Sequence, residues 1–186
     1  ASSLNASTEN SSAGNSDMDL LIAQNSYDAA VLEFDFSLVA GDSLRAGSFI
    51  FASEEYGYGY SPSYNDACAI FISGPGFTGN QNIVFVPGTV LPVTVNNVNK
   101  DLNSSYYVDN STGQDLVYDA YTTPIEPATG LVAGQVYHAK IAVADGGVKR
   151  SAAFGTSSTF SRLAVMMDAV AVMPGRKARS SLRTAS

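Results

Sequence analysis

The chain is predicted to fold as an all-β domain, a β-sandwich or jelly roll of antiparallel strands, on three observations. Apolar and polar residues alternate position by position through several short segments. Clusters of Gly and Pro separate those segments, and no stretch combines a helical period with credible caps. Residues 19–24 are the one place where a single helical turn is expected.

Residues 1–19 are dominated by Ser, Asn, Thr and Asp and read as a polar lead-in, because they carry too little apolar surface to offset the entropy of ordering. The sandwich is placed at residues 20–160. Its opening strand, 31–39, sets Leu32, Phe34, Phe36 and Leu38 against Glu33, Asp35 and Ser37, the pattern of a half-buried strand. Further strands are predicted at 47–53, 67–73, 83–86, 90–95, 106–108 and 136–144, divided by turn chemistry such as Ser73-Gly74-Pro75-Gly76 and Pro87-Gly88. Pro124 and Pro127 interrupt Tyr121-Thr122-Thr123 and mark a loop or a ragged edge strand. An additional strand is predicted within 161–173, where residues 163–173 are apolar on both faces apart from Asp168, and a basic tail occupies 174–186.

The composition narrows the function. The 186 residues are 45% hydrophobic and 15% charged, enough apolar material for the core of one domain. Seventeen acidic against ten basic residues give a net charge of −7, which argues against nucleic acid and anionic membranes as partners. Four of the basic groups, Arg176, Lys177, Arg179 and Arg183, crowd the C-terminal end. No apolar run approaches the roughly 20 residues that span a bilayer. Cys68, the only cysteine, has no partner for a disulfide and sits in the apolar run Ala67-Cys68-Ala69-Ile70-Phe71-Ile72, so a core role is expected. The chain opens on Ala1 without an initiator Met, as a processed or trimmed chain would.

The densest polar and aromatic cluster is 53–66, a loop between two strands and therefore at one end of the sandwich, where binding residues usually sit. Glu54, Glu55, Asn65 and Asp66, joined by Asp145 from another loop, offer the hard oxygen ligands of a Ca²⁺ site, although their spacing matches no diagnostic calcium loop. The alternative is that these acids cap turns and stay solvated. Tyr56, Tyr58, Tyr60 and Tyr64 are candidates for a sugar-stacking platform or an aromatic interface, and core packing explains several of them equally well. Catalysis is not expected. Glu54 and Glu55 are adjacent and point oppositely on an extended chain, a poor acid–base couple. His138, the only histidine, lies on a predicted strand with no nucleophile motif beside it. N-x-Ser/Thr sequons at Asn5, Asn10, Asn103 and Asn110 permit glycosylation.

A family resemblance runs through the same residues. Ser26-Tyr27-Asp28-Ala29-Ala30-Val31-Leu32-Glu33-Phe34-Asp35-Phe36, Ser53-Glu54-Glu55-Tyr56, Tyr64-Asn65-Asp66 and Ser73-Gly74-Pro75-Gly76 follow the order of elements in the bacterial choice-of-anchor L domain. Tyr106-Tyr107-Val108-Asp109-Asn110 and the segment from Tyr137-His138-Ala139 to Asp145 continue a match that covers residues 17–160. The resemblance implies an extracellular module displayed on a bacterial surface, without implying catalysis.

Two departures from the family pattern carry a functional expectation. Domains of this family usually begin with an apolar strand upstream of the residue at which this chain starts. At the other end, Leu163, Val165, Met167, Ala169, Ala171 and Met173 continue past the family's closing segment as one face of an extra strand. A sandwich short of a strand exposes apolar core and unpaired backbone, and a spare apolar strand supplies both deficits. The expectation is therefore a structural subunit of an extracellular filament or surface assembly, with itself as partner, polymerising by β-strand exchange. Insertion of the strand within its own chain would give a monomer instead. A carbohydrate-binding or adhesive module with a Ca²⁺-supported loop is the alternative.

Overall fold

The computed structural model describes residues 12–37, 44–46, 48–58, 63–113, 118–127, 131–147, 163–167 and 170–172, with the backbone alone at 44–46, 57–58, 163–167 and 170–172. A short helix leads into the first strand. Helix α1 (Ser16–Ile22) begins where the Asn15 side chain accepts the backbone N–H groups of Asp17 and Met18, at 3.1 and 3.4 Å. It ends at Ala23 in the left-handed region, φ 55°. The helix thus starts inside the stretch read as a polar lead-in, and Met18, within that stretch, is fully buried. Asn15 and the four-residue spacing of Met18 and Ile22 are the signals that a composition-based reading passes over.

The strands are β1 (Ser26–Ser37), β2 (Leu44–Ala46), β3 (Phe49–Ser53), β4 (Ala67–Ser73), β5 (Gln81–Asn82), β6 (Tyr107–Asp109), β7 (Ala120–Thr122), β8 (Val136–Gly146), β9 (Leu163–Met167) and β10 (Val170–Val172). All pairings are antiparallel. One sheet runs β1-β8-β4-β5 and the other β6-β7-β3-β9, while β10 and β2 form a two-stranded ribbon. The fold is all-β, as the alternation predicts.

The core lies between the four-stranded sheets. Cys68, Ile70 and Ile72 of β4 and Tyr137 and Ala139 of β8 meet Phe49 and Phe51 of β3 there. The alternate residues Ala67, Ala69 and Phe71 of β4 and Ala142 and Ala144 of β8 face outward and are covered by Met18 and Ile22 of α1. Alanines at four of these positions let the helix settle close to the sheet. Lys140, also on the outward face of β8, donates to Asp17 of α1 at 2.7 Å and lies 3.1 Å from Glu33 of β1, which joins helix and sheet.

Three predicted elements need correction. Residues 83–86 and 90–95 form no regular strands: only the bridges Phe85↔Pro92 and Ala67↔Thr94 occur, although Ile83, Val84, Val86, Val93 and Val95 are all buried as their apolar character requires. Pro92 has no N–H to offer a ladder, so scattered backbone bonds such as Val86 N–H to the Leu91 carbonyl and Val95 N–H to the Asp66 carbonyl stand in for a regular one, and side chains take further backbone groups. Asn82 accepts from Val84 N–H at 3.0 Å and donates to its carbonyl at 2.6 Å, and Thr89 donates to the Val86 carbonyl at 2.8 Å. The segment before Pro124 is an inner strand, β7, flanked by β6 and β3, because the prolines fall after its last ladder residue.

The additional strand is seated within its own chain. β9 pairs with β3 from Phe49↔Met167 to Ser53↔Leu163 and lies against β8 of the facing sheet. Leu163, Val165 and Met167 fall on β9 and Ala171 on β10, whereas Ala169 and Met173 lie outside the described residues.

Candidate functional site at the acidic end of the sandwich

β3 ends at Ser53 and passes into a 3-10 turn, Glu55–Tyr58, while Asn65 and Asp66 lead into β4 and Asp145 closes β8. These termini lie at one end of the molecule. Asp66 continues the inward alternation of Cys68, Ile70 and Ile72, and Asp145 continues that of Tyr137 and Ala139, so both carboxylates extend the inter-sheet core at its rim. Glu54, Glu55, Asn65 and Asp66 are all buried. Four of the five residues predicted as calcium ligands are therefore interior, and the fifth, Asp145, is half-buried among them.

Hydrogen bonds tie this end together. Ser53 Oγ donates to Asp66 Oδ2 at 2.7 Å and accepts the Glu55 N–H at 2.9 Å. The other Asp66 oxygen accepts the Gly146 N–H at 3.2 Å, and Asn65 Oδ1 accepts the Asn96 N–H at 3.0 Å. Asn65 N–H donates to the Gly146 carbonyl at 2.7 Å. The two backbones are so close there that a Cβ on Gly146 would stand 2.3 Å from the Asn65 carbonyl oxygen, so only glycine fits.

The electrostatics are one-sided. Burial first, and then the carboxylates of Asp66, Asp28 and Glu55, push the Asp145 carboxyl up to about 8. Asp28 is the member that sequence reasoning missed. It sits at φ 47°, at the register shift of β1 between Tyr27 and Ala30, a conformation that Asp tolerates better than most residues. Its signal was an acid just upstream of the alternating run. Ser53, the hub of the hydrogen bonds, was likewise passed over as a strand end. Both Asp66 oxygens and the Asn65 side-chain oxygen are engaged by protein donors. Among the described residues no three carboxylate, histidine or cysteine groups are placed to hold one metal ion.

The predicted aromatic platform divides. Tyr56 is in the core, its ring edge-on to Phe51 at 6.4 Å and to Tyr107 at 5.3 Å, and not on a surface that could stack on sugar. Tyr64 is half-buried and bridges to Gly147, whereas Tyr60 and the Tyr58 side chain lie outside the described residues.

Of the sequons, Asn110 is buried and its Nδ2 donates to the Tyr118 carbonyl at 2.6 Å, so the folded domain does not present that nitrogen for glycosylation. Asn103 is half-buried, with Nδ2 donating to the Asn97 carbonyl at 2.7 Å. Asn5 and Asn10 lie outside the described residues.

Cys68 is buried, and burial pushes its thiol up to about 12, far from a reactive thiolate. His138 Nδ1 lies 2.8 Å from Asp35 Oδ1 on an exposed strand surface. No described helix is long and apolar enough to cross a membrane.

The family model described as the choice-of-anchor L domain matches residues 1–160. No curated protein and no solved structure matches the chain. The matched region takes in the polar lead-in and stops short of β9.

Proposed function

Because this chain belongs to the choice-of-anchor L domain family, whose members are extracellular or anchored to the cell surface, we propose that it is a structural subunit of an extracellular bacterial assembly, polymerising by exchange of the strand at 163–172. The observation that carries the reading is the place of that strand. It follows the family-matched region, yet it completes the β6-β7-β3 sheet by adding to β3 in an antiparallel ladder of five paired positions. A strand that is external to the domain in sequence and integral to its sheet in space is the part that two copies can trade. The neighbour's strand would make the same backbone bonds, so closed and exchanged forms differ little in local energy. Concentration and linker strain then select between them.

A non-catalytic role accords with a buried Cys68 and a His138 engaged with Asp35. The test is a chain ending at residue 160, assayed for high-mass species by light scattering and electron microscopy beside the full chain. Loss of assembly is expected, and undiminished assembly would overturn the proposal.

The mutual repulsion of Asp28, Glu55, Asp66 and Asp145 suggests one second reading, an adhesive module whose acidic end takes up Ca²⁺ after these carboxylates rearrange, since no three of them are placed to hold one ion as they stand. Millimolar Ca²⁺ raising the melting temperature, together with glycan-array binding abolished by chelator, would support it. A flat melt and a silent array would remove it.

A further inference from the structure

The ribbon formed by β2 and β10 has no third strand among the described residues. Isolated two-stranded ribbons are marginal in water, so its presence calls for a reason. The reason lies in the register. β10 pairs with β2 as Ala46↔Val170 and Leu44↔Val172, and β9 pairs with β3 as Phe49↔Met167 and Ser53↔Leu163. Stepping from the first ladder to the second advances one strand from 46 to 49 and retreats the other from 170 to 167, an equal number of residues on each side. Two unrelated contacts would have no cause to share an offset. They share the register of one antiparallel ladder, of which residues 47 and 168–169 lie outside the described residues, and it runs beyond the end of β7, which pairs with Ala52 and Ser53 of β3.

We infer that β2 and β3 form one extended acceptor surface for residues 163–172 of a second copy of this chain, with Leu44–Ala46 acting as a clamp on the far end of the incoming strand. The inference rests on the strand-exchange reading above and adds to it the extent of the surface and the role of β2. Continuity with the β3 ladder is what identifies the occupant, since whatever strand occupies β3 is delivered to β2 in the same register. The seated β3–β9 pair supplies the anchoring that the ribbon lacks alone, so the clamp closes after β9 docks. It then resists release from the end at which a strand held only by β3 would fray.

The experiment uses paired cysteines in the full chain carrying Cys68→Ala. Directly opposed Cβ atoms in an antiparallel pair lie about 4.5–5.5 Å apart, near enough for a disulfide after small adjustment. Copies with Ile50→Cys are refolded together with copies with Met166→Cys, and copies with Ala46→Cys are refolded with copies with Val170→Cys. Each is oxidised mildly and run on non-reducing gels, after melting curves have shown that the variants fold. Chains carrying both cysteines of a pair serve as the register control. Bonds between chains in both mixtures are expected. Such bonds at 50/166 without any at 46/170 would overturn the clamp and leave strand exchange standing. Bonds that form only within doubly substituted chains would overturn both. A doubly substituted 46/170 chain that does not close while the 50/166 chain does would show the shared register to be wrong.

Discussion

Asp145 sets the clearest residue-scale expectation. Its carboxyl titrates at about 8 in the folded chain, against the ordinary 3.8. A raised acid is penalised when ionised, so its destabilising effect is absent below the unfolded value, grows as pH rises from about 4 to about 8, and is constant above. Stability should therefore fall across that window. Asp17, which Lys140 and Asn80 hold below the usual carboxylate range against the opposing effect of burial, loses its contribution only at more acidic pH. Asp145→Asn is expected to flatten the pH 4–8 dependence and to raise the melting temperature at pH 9 by at least about 2–4 °C, the equivalent of about 1 kcal/mol. An unchanged pH profile would refute the assignment. At the same end, Gly146→Ala must displace the Asn65 carbonyl, which is backbone and cannot swing away. A loss of about 1–3 kcal/mol by denaturant titration is expected.

At the scale of elements, helix α1 is attached to the sheet by two buried hydrophobic residues, Met18 and Ile22, and one ion pair. Met18 is fully buried against alanines, and Met18→Ala should cost about 2–5 kcal/mol. Because the helix has only seven residues and cannot persist alone, hydrogen exchange should show α1 amides losing protection ahead of β4 and β8 in that variant. Lys140 is held between Asp17 and Glu33 with little exposure, and burial, which favours its neutral form, is outweighed by those two carboxylates, so its pKa is raised. Lys140→Met would leave Asp17 partly buried beside Glu33 without its cation. These elements were unevenly legible. β4 was read to the residue, because full burial on both faces produces a continuous apolar run. Helix α1 was not, because it is short and its signal is a cap and a single spacing. Val84, Val86, Val93 and Val95 were read as strand residues; they are buried, but on irregular backbone, part of which asparagine and threonine side chains satisfy locally.

For the whole molecule, the decisive relation is between residues 1–160 and the strand that follows. Removal of the strand leaves the β3 edge open beside the buried Phe49 and Phe51. A chain ending at residue 160 should melt lower than the full chain and should recover when a synthetic peptide of residues 162–173 is added. Ligand linkage predicts stabilisation of about 2.7 kcal/mol at a peptide concentration one hundred times its Kd. A melting temperature indifferent to peptide would show that the strand does not complete the sheet. The same peptide added to the assembling full chain should compete with exchange and shorten the products, which ties the stability measurement to the proposed function.

The all-β class, the central strand β4, the core cysteine and the family were determined by the sequence alone. Each is recorded in a local pattern: alternation, apolar runs and short motifs survive being read one residue after another. The composition of the acidic end and the seat of the additional strand were decided only by tertiary structure. Asp28, Glu55, Asp66 and Asp145 come from four separate segments, and nothing in their spacing announces that a bulge, a 3-10 turn and two strand ends bring them together. Tyr56 and Asn110 likewise had the residue types of surface sites and became interior, because the packing of neighbouring strands determines which side of the chain faces water. The spare strand was visible as an apolar run, but its partner, register and ribbon depend on backbone hydrogen bonds between residues more than a hundred positions apart.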